Sequence, residues 1–282
     1  MLQQLKDINQ TNLSGVYSIE NKIPLSYSAL VSQVIPSKMN FLRKFFTRSE
    51  EEVKSARIVS MKYPHFSKSE QELIERFGGI AFDKQIDVSE IIGNNSWSLD
   101  MINCEINFGD ELVFPFQILG SFSRSTQSWL WAWANTQAEM ANSSLEHAFK
   151  LKKYGEENDI SFLKTDHFEA LNIDLHLIGL TASGLMNASG YYIADYGKGA
   201  MVFTLKSDVI EKVAKNQHER ISTVFNQLIS DFDIDHKVAL KHYLEEKGYK
   251  TLIERHKLTG VRGSNKITGE FDRDHNLINL TW

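Results

Sequence analysis

Acidic side chains cluster in one short segment towards the end of the chain. Asp231, Asp233 and Asp235 alternate along the sequence, and His236 follows directly. In an extended backbone, this alternation would direct three carboxylates to one side. The segment lacks the glycine and the terminal glutamate of a calcium loop, so we predict no metal site. We interpret it as a connection between helices with an N-cap and solvated charges, and its three aspartates are our candidate contacts for a protein partner.

Aromatic side chains form the second group that could do chemistry. Trp129, Trp131 and Trp133 alternate, which predicts that they share one face of a strand, while Leu130, Ala132 and Ala134 line the other face. Because both faces are apolar, we expect a central strand whose tryptophans form a ridge in the core. The alternative is a ligand pocket with aromatic walls. Its candidate residues would be Trp129, Trp131, Trp133, Asn135, Tyr191, Tyr192 and Tyr196.

Known catalytic signatures are missing from the sequence. It contains no Walker loop, no Gly-x-Ser-x-Gly elbow and no His-Glu-x-x-His motif. The single cysteine, Cys104, can form neither an internal disulfide nor a thiolate zinc site. Glu270 and Asp272 flank Phe271, but we interpret them as neighbours that face solvent. We therefore predict no catalytic residue, no cofactor and no metal, although these absences exclude only specific chemistries.

The charge of the chain is acidic but uneven. The formal net charge is -5 over 282 residues, which disfavours a general nucleic-acid binder, and no nucleic acid is expected as a partner. The stretch from Lys38 to Lys68 is basic, and Phe41, Leu42, Phe45 and Phe46 give it an amphipathic face. We expect this stretch to pack on the core; alternatively, it contacts a protein partner, an anionic membrane or nucleic acid. The remaining acidic body is typical of a protein that binds a basic partner.

The location predicted for the protein is the cytoplasm. The first fifteen residues have neither the basic start nor the apolar core of a secretory signal. The longest apolar runs are interrupted well before they could span a bilayer, so we expect no membrane span. A single cysteine also fits a reducing compartment.

The order of the predicted elements favours an α+β fold, in which antiparallel sheets have helices packed against them. We divide the chain into an N-terminal segment (1–66), a central domain with the Trp-rich strand (67–206) and a C-terminal part with helices and antiparallel strands (207–282). Ser67 and Glu70 form a capping-box pattern at the start of a helix that we expect to end at Gly78 and Gly79.

Further elements follow in the central and C-terminal parts. After strands from about residue 96 to 135, we predict a helix with Ser143 or Ser144 as its N-cap and Gly155 as its stop. Another helix would begin near Thr165 and bury Phe168. Residues 190–205 read as a hairpin with its turn at 196–199. Two helices, the second closed by Gly248, and a set of strands complete the chain.

At QILGSFSRSTQSWLWAWAN the sequence resembles an uncharacterised bacterial family, one of the domains of unknown function. The residues that carry the resemblance are Gly120, Ser121, Trp129, Trp131, Ala132, Trp133, Ala134 and Asn135. With the Tyr-rich hairpin 191–205, the resemblance extends from about Ser67 to Leu205. Thr136 and Gln137 stand where the family has a proline, so the local turn departs from the pattern.

The resemblance implies no established activity, but stand-alone members look similar to immunity and defence-associated proteins of bacterial toxin systems. We therefore predict a cytosolic, non-enzymatic binding protein. An immunity protein that covers a basic toxin with an acidic surface would fit this description. The alternative is a small-ligand-binding protein or an uncharacterised enzyme, with the aromatic pocket near the Trp strand.

Overall fold

The computed structural model describes residues 16–18, 67–138, 140–212 and 217–282, with no side-chain description for 16–18 and 211–212. The first strand, β1 (Val16–Ser18), is therefore known only through its backbone. The rest of the predicted N-terminal segment 1–66, including its basic amphipathic stretch, lies outside the described residues.

A long helical segment opens the central part of the chain. It consists of α1 (Lys68–Leu73), a π-helical turn (Ile74–Gly78) and α2 (Gly79–Ile92). The capping box at its start is confirmed, because the Ser67 N–H donates to Glu70 Oε2 and the Ser67 hydroxyl accepts from the Glu70 N–H. The prediction that the helix ends at the glycine pair is wrong. The glycines continue the helix and make room for neighbours: a Cβ on Gly79 would lie 2.6 Å from the Tyr243 ring.

The larger sheet is antiparallel and is organised around its longest strand, β4. Residues 112–115 of β4 pair with β3, and residues 116–123 pair with β8, while β5 pairs with residues 120–123. The remaining pairings attach β1 to β2, β2 to β3, β6 to β5 and β7 to β8. The strands are β2 (Trp97–Asp100), β3 (Glu105–Phe108), β4 (Leu112–Ser123), β5 (Ser128–Trp131), β6 (His167–Glu169), β7 (Gly190–Asp195) and β8 (Gly199–Leu205).

Helices follow the sheet strands in two groups, and a smaller antiparallel sheet ends the chain. The helices are α3 (Glu146–Glu157), α4 (Ser161–Lys164), α5 (Asp174–Leu185), α6 (Asp208–Lys212), α7 (Arg220–Asp231) and α8 (His236–Glu246). The smaller sheet has the order β12-β11-β10-β9, with β9 (Lys250–Ile253), β10 (Lys257–Arg262), β11 (Asn265–Phe271) and β12 (Leu277–Thr281). The predicted α+β class is confirmed. In the part of the chain that the structure describes, none of the helices has both the length and the apolar character to cross a membrane.

The Trp-rich strand is shorter than the alternating pattern predicts. β5 ends at Trp131, and a 3-10 turn occupies Ala132–Ala134. The expectation that all three tryptophans alternate on one strand is therefore wrong for Trp133. Alternation alone cannot locate the end of a strand, because the 3-10 turn continues the same apolar composition.

Three predicted helix boundaries also change. Phe168 lies in β6, and the helix expected from Thr165 begins only at Asp174. Gly155 lies inside α3, where a Cβ would come within 2.5 Å of Leu163 Cβ, so this glycine permits close packing and does not stop the helix. Neither predicted serine caps α3, whose N-cap position is Leu145. The hairpin β7–β8 and the helix closed before Gly248 are confirmed.

The apolar core lies on both faces of the larger sheet. On β8, Val202 belongs to one buried cluster and Phe203 to the other, because successive side chains of a strand point to opposite faces. The first cluster contains residues of α2, α5, α7 and α8 and continues to Leu258 and Ile267 of the smaller sheet. The second cluster joins β2, β3 and β4 to α3 through Ala148.

Trp129 and Trp131 lie at the centre of the first cluster and have no solvent-exposed surface. Their rings meet edge to face, 5.4 Å apart, and Trp131 Nε1 donates a 2.8 Å hydrogen bond to the Phe162 carbonyl. Gly120 of β4 makes room for them, because a Cβ there would lie 2.4 Å from Trp129 Cζ2. The predicted ridge in the core is therefore present for these two tryptophans.

Replacing Trp131 with alanine should lower the free energy of unfolding by about 3–5 kcal/mol, because the lost ring leaves a cavity and the Phe162 carbonyl loses its donor. Chemical denaturation monitored by circular dichroism measures this change. Trp282→Ala is the matched control, since Trp282 is mostly exposed. An unchanged stability in Trp131→Ala would contradict the central position of this ring.

Candidate functional site

The aromatic residues predicted to line a pocket are distributed over different environments. Trp129, Trp131 and Tyr191 are fully or almost fully buried. The Tyr191 hydroxyl is 2.9 Å from His176 Nδ1. The Gln85 side-chain amide donates to the Tyr191 carbonyl and accepts from the Tyr191 N–H. Burial raises the pKa of Tyr191 far above its usual range, so its phenol stays neutral. These three side chains pack the interior and are not accessible from solvent.

The other four aromatic-pocket candidates are partly exposed, and each has its own neighbours. Lys152 Nζ lies 4.1 Å from the centre of the Trp133 ring, a cation–π contact that covers this side chain. Asn135 accepts a hydrogen bond from the Gln137 N–H. Tyr192 contacts Phe108 edge to face, whereas Tyr196 lies in the β7–β8 turn. A ligand pocket formed by these residues stays a prediction.

The three aspartates predicted to contact a partner also have different neighbours. Asp235 caps α8, since its Oδ1 accepts from the Val238 N–H at 2.9 Å, and its Oδ2 lies 2.6 Å from His275 Nδ1. This confirms the N-cap interpretation of the segment. Asp231 accepts from the Gln227 amide, and Asp233 is the exposed member of the three. Their role as partner contacts stays a prediction.

A buried ionic cluster joins α2 to the C-terminal helices, and sequence analysis did not find it. Arg220 of α7 bridges two carboxylates of α2, with Nη2 at 2.5 Å from Asp83 Oδ1 and Nη1 at 2.5 Å from Asp87 Oδ1. Asp83 also accepts from the Tyr243 hydroxyl at 3.0 Å and from Lys247 Nζ. Burial raises the pKa of Asp87, and the Arg220 guanidinium opposes this effect.

The cluster holds α7 and α8 against α2, and its role is therefore structural. Its acidic half was visible in the sequence, because Asp83 and Asp87 are four residues apart and share one helix face. Its basic half is more than 130 residues away along the chain. In the described ranges, no group of three His, Cys, Asp or Glu side chains is placed to hold a metal ion.

An acidic face on the larger sheet is the strongest candidate for a functional surface. Residues 85–123 contain six acidic residues and no Lys or Arg. Leu99 and Ile106 point into the core, so Asp100 and Glu105, which directly face each other across β2 and β3, point outwards. We define the acidic face as Asp100 and Glu105 together with the exposed residues Asp110 and Glu111 of the β3–β4 turn. Two carboxylates in opposed positions repel each other across the strands.

Local hydrogen bonds keep Asp100 ionised on this face. Its carboxylate accepts from the Ile102 and Asn103 N–H groups and from the Asn103 side-chain amide. These bonds, chiefly those from Asn103, lower the pKa of Asp100. Within the part of the chain that is described, no ion pair joins a Lys or Arg side chain to the acidic face. Asp110 and Glu111 are exposed, whereas Asp100 and Glu105 are half-buried.

Exposed apolar side chains accompany the acidic face. Ile102, at the tip of the β2–β3 turn, is 76% exposed, and Val113 of β4 is also exposed. Val113 faces Asn107 on the outer side of the sheet. Apolar contacts surrounded by charge are typical of a surface that binds another protein.

Removing the Arg220 guanidinium should strongly destabilise the fold. We expect Arg220→Met to cost about 3–5 kcal/mol at neutral pH, because the buried Asp87 carboxylate loses its ion-pair partner and Asp83 keeps only Lys247 and Tyr243. The pKa of Asp87, already raised by burial, should rise further. A carboxyl group with a raised folded-state pKa stabilises the fold at low pH and loses that contribution as pH rises through this pKa. The cost should therefore be smaller at pH near 4 than near 7, as pH-dependent urea denaturation would measure.

The double variant Arg220→Met/Asp87→Asn should be more stable than the sum of its single changes predicts, by roughly 1 kcal/mol or more. Arg273→Met, at an exposed position, is the control. Additive effects at all pH values would contradict the coupling between Arg220 and Asp87.

Comparison with known proteins gives one match. Searches of curated proteins and of solved structures found no match to the chain. Residues 71–208 match a family described as a family of unknown function, DUF6882. The match confirms the resemblance that the Gly-Ser strand and the Trp block indicate. Residues 71–208, just under half of the chain, are therefore similar to this family of unknown function.

Proposed function

We propose that the protein binds a basic protein partner through the acidic face of β2, β3 and β4. The observation that carries this proposal is the outward pair of carboxylates, Asp100 opposite Glu105, in a stretch of 39 residues without Lys or Arg. Like charges in facing positions of a sheet are unfavourable in the free protein. A basic partner removes this repulsion when it binds.

The composition of the face supports a protein as the ligand. The carboxylates guide a positively charged partner and accelerate association, while exposed Ile102 and Val113 supply apolar area that excludes water. A small cation would use the charges but not these apolar side chains. The acidic face therefore fits a folded partner with Lys or Arg around an apolar patch.

An immunity protein is the class that we favour for this activity. Such a protein acts in the cytoplasm by covering a toxin, and it needs a complementary surface but no catalytic group. The resemblance of the Trp block to a bacterial family whose members look similar to immunity proteins supports this choice by analogy. Cytoplasmic placement is supported by the single cysteine.

Charge reversal on the acidic face tests the proposal. The tagged wild-type protein should capture a basic partner from its native host, and Glu105→Lys/Glu111→Lys should weaken binding of that purified partner by at least about tenfold, since attraction becomes repulsion. Both positions leave the Asp100 hydrogen bonds intact. Titration calorimetry at low and high ionic strength measures the effect, and affinity should fall as salt increases.

Asp233→Lys separates the acidic face from the segment that sequence analysis favoured. Asp233 is exposed and lies between α7 and α8, so this variant should bind the partner as the wild type does. Loss of binding in Asp233→Lys, with retention in the double variant, would place the interface at the aspartate segment and contradict the proposal.

A further inference from the structure

The smaller sheet exposes apolar side chains at its β9 edge. Among the described residues, β10 is the only strand that pairs with β9. Leu252 is 63% exposed and Ile253 is 51% exposed, although both belong to a regular strand. Such an edge needs a covering strand or charged residues to avoid uncontrolled pairing.

The register shows which backbone groups of β9 are open. The Glu254 N–H donates to the Lys257 carbonyl at 2.8 Å, so Glu254 directs its N–H towards β10. In an antiparallel ladder this direction alternates, and Leu252 therefore also faces β10. The N–H and C=O groups of Thr251 and Ile253 point away from the sheet. Among the described residues, no strand pairs with these four groups, and they are placed to pair with a second strand.

The side chains on one face of β9 would be complementary in charge to those of a second, antiparallel β9. Lys250, Leu252 and Glu254 alternate on the outer face, in the order positive, apolar, negative. Within one chain, Lys250 and Glu254 are about 13 Å apart along an extended strand, too far for an ion pair. A second β9 running antiparallel would place each Lys250 opposite a Glu254.

We infer that two copies of the protein form a symmetric dimer through β9, with the two-fold axis at Leu252. In this register Leu252 meets its counterpart, and Lys250 of each copy meets Glu254 of the other copy. Thr251 lies opposite Ile253 of the second copy, so their open backbone groups form four hydrogen bonds. The two four-stranded sheets become one eight-stranded sheet.

Neighbouring residues prepare this edge for pairing. The Thr251 hydroxyl donates a 2.7 Å hydrogen bond to Glu245 Oε1 of α8, which holds the strand against the helix. Val261 of β10 is exposed on the same face as Leu252 and lies beside Lys250, so it adds apolar surface next to the proposed contact. The contact uses none of the acidic face, so the dimer is independent of the proposed partner binding.

Charge swapping tests the dimer on the full chain by sedimentation equilibrium. The wild type should show a concentration-dependent dimer, and Glu254→Lys should raise its Kd at least about tenfold, because two attractive pairs become repulsive. Lys250→Glu/Glu254→Lys should restore the wild-type Kd. Glu270→Lys makes the same change on the central strand β11 and should have no effect. A monomer at all concentrations, or a double variant that stays as weak as Glu254→Lys, would overturn the inference.

A disulfide tests the register. In a Cys104→Ser background, Leu252→Cys should oxidise to a covalent dimer, because facing residues at this kind of position have Cα atoms about 4.5 Å apart, within disulfide range. Thr259→Cys, one strand away from the edge, should stay monomeric under the same conditions. Equal cross-linking of both variants, or none at Leu252→Cys, would overturn the register.

Discussion

Close contact between the Trp129 ring and the backbone of Gly120 is the constraint on which the larger sheet depends. A Cβ at residue 120 would lie 2.4 Å from the ring and 2.5 Å from the Leu130 carbonyl, so no side chain fits there. With the contact in place, β4 pairs with β5 on one edge and β8 on the other. The same device recurs where the Tyr191 ring lies over Gly179 of α5. In both places an aromatic ring packs directly against a glycine, so the ring sets the distance between the two elements that meet there.

Because these rings are buried in the core, a binding site is expected on the surface of the protein. Trp129, Trp131 and Tyr191, which are among the most conspicuous aromatic residues of the sequence, are fully or almost fully buried. The carboxylates of the acidic face lie at exposed or half-buried positions, in a stretch without Lys or Arg. Leu99, Ile106 and Phe108 pack in the buried cluster beneath β2 and β3, so the core supports this face from within. A preformed charged surface associates rapidly with an oppositely charged protein.

Local patterns predicted much of the fold. The Ser67 capping box, the 190–205 hairpin and the helix closed before Gly248 depend on residues that are close in sequence. The strand end at Trp131 was not predictable, because the following 3-10 turn keeps the same apolar composition. Likewise, the helix passes Gly78 because α7 packs there, which is a tertiary effect.

The candidate site was harder to predict, for a related reason. The absence of Lys and Arg from residues 85–123 is visible in the sequence, but it becomes informative only when the register places Asp100 opposite Glu105. The Asp83–Arg220 pair likewise joins residues 137 positions apart, which no local pattern indicates. In contrast, the alternating aspartates from 231 to 235 are conspicuous in the sequence as candidate partner contacts, and Asp235 is the N-cap of α8.

Hydrogen–deuterium exchange on the isolated complex with the captured partner tests the central claim most directly. The account predicts slowed exchange in residues 97–115, which contain β2, β3 and the start of β4, because a bound partner excludes water from this face. Exchange in 128–135, within the Trp block, should be the same in the free and bound protein. Protection confined to the Trp block and the hairpin 190–196, with none in 97–115, would show that the aromatic region is the site and would contradict the account.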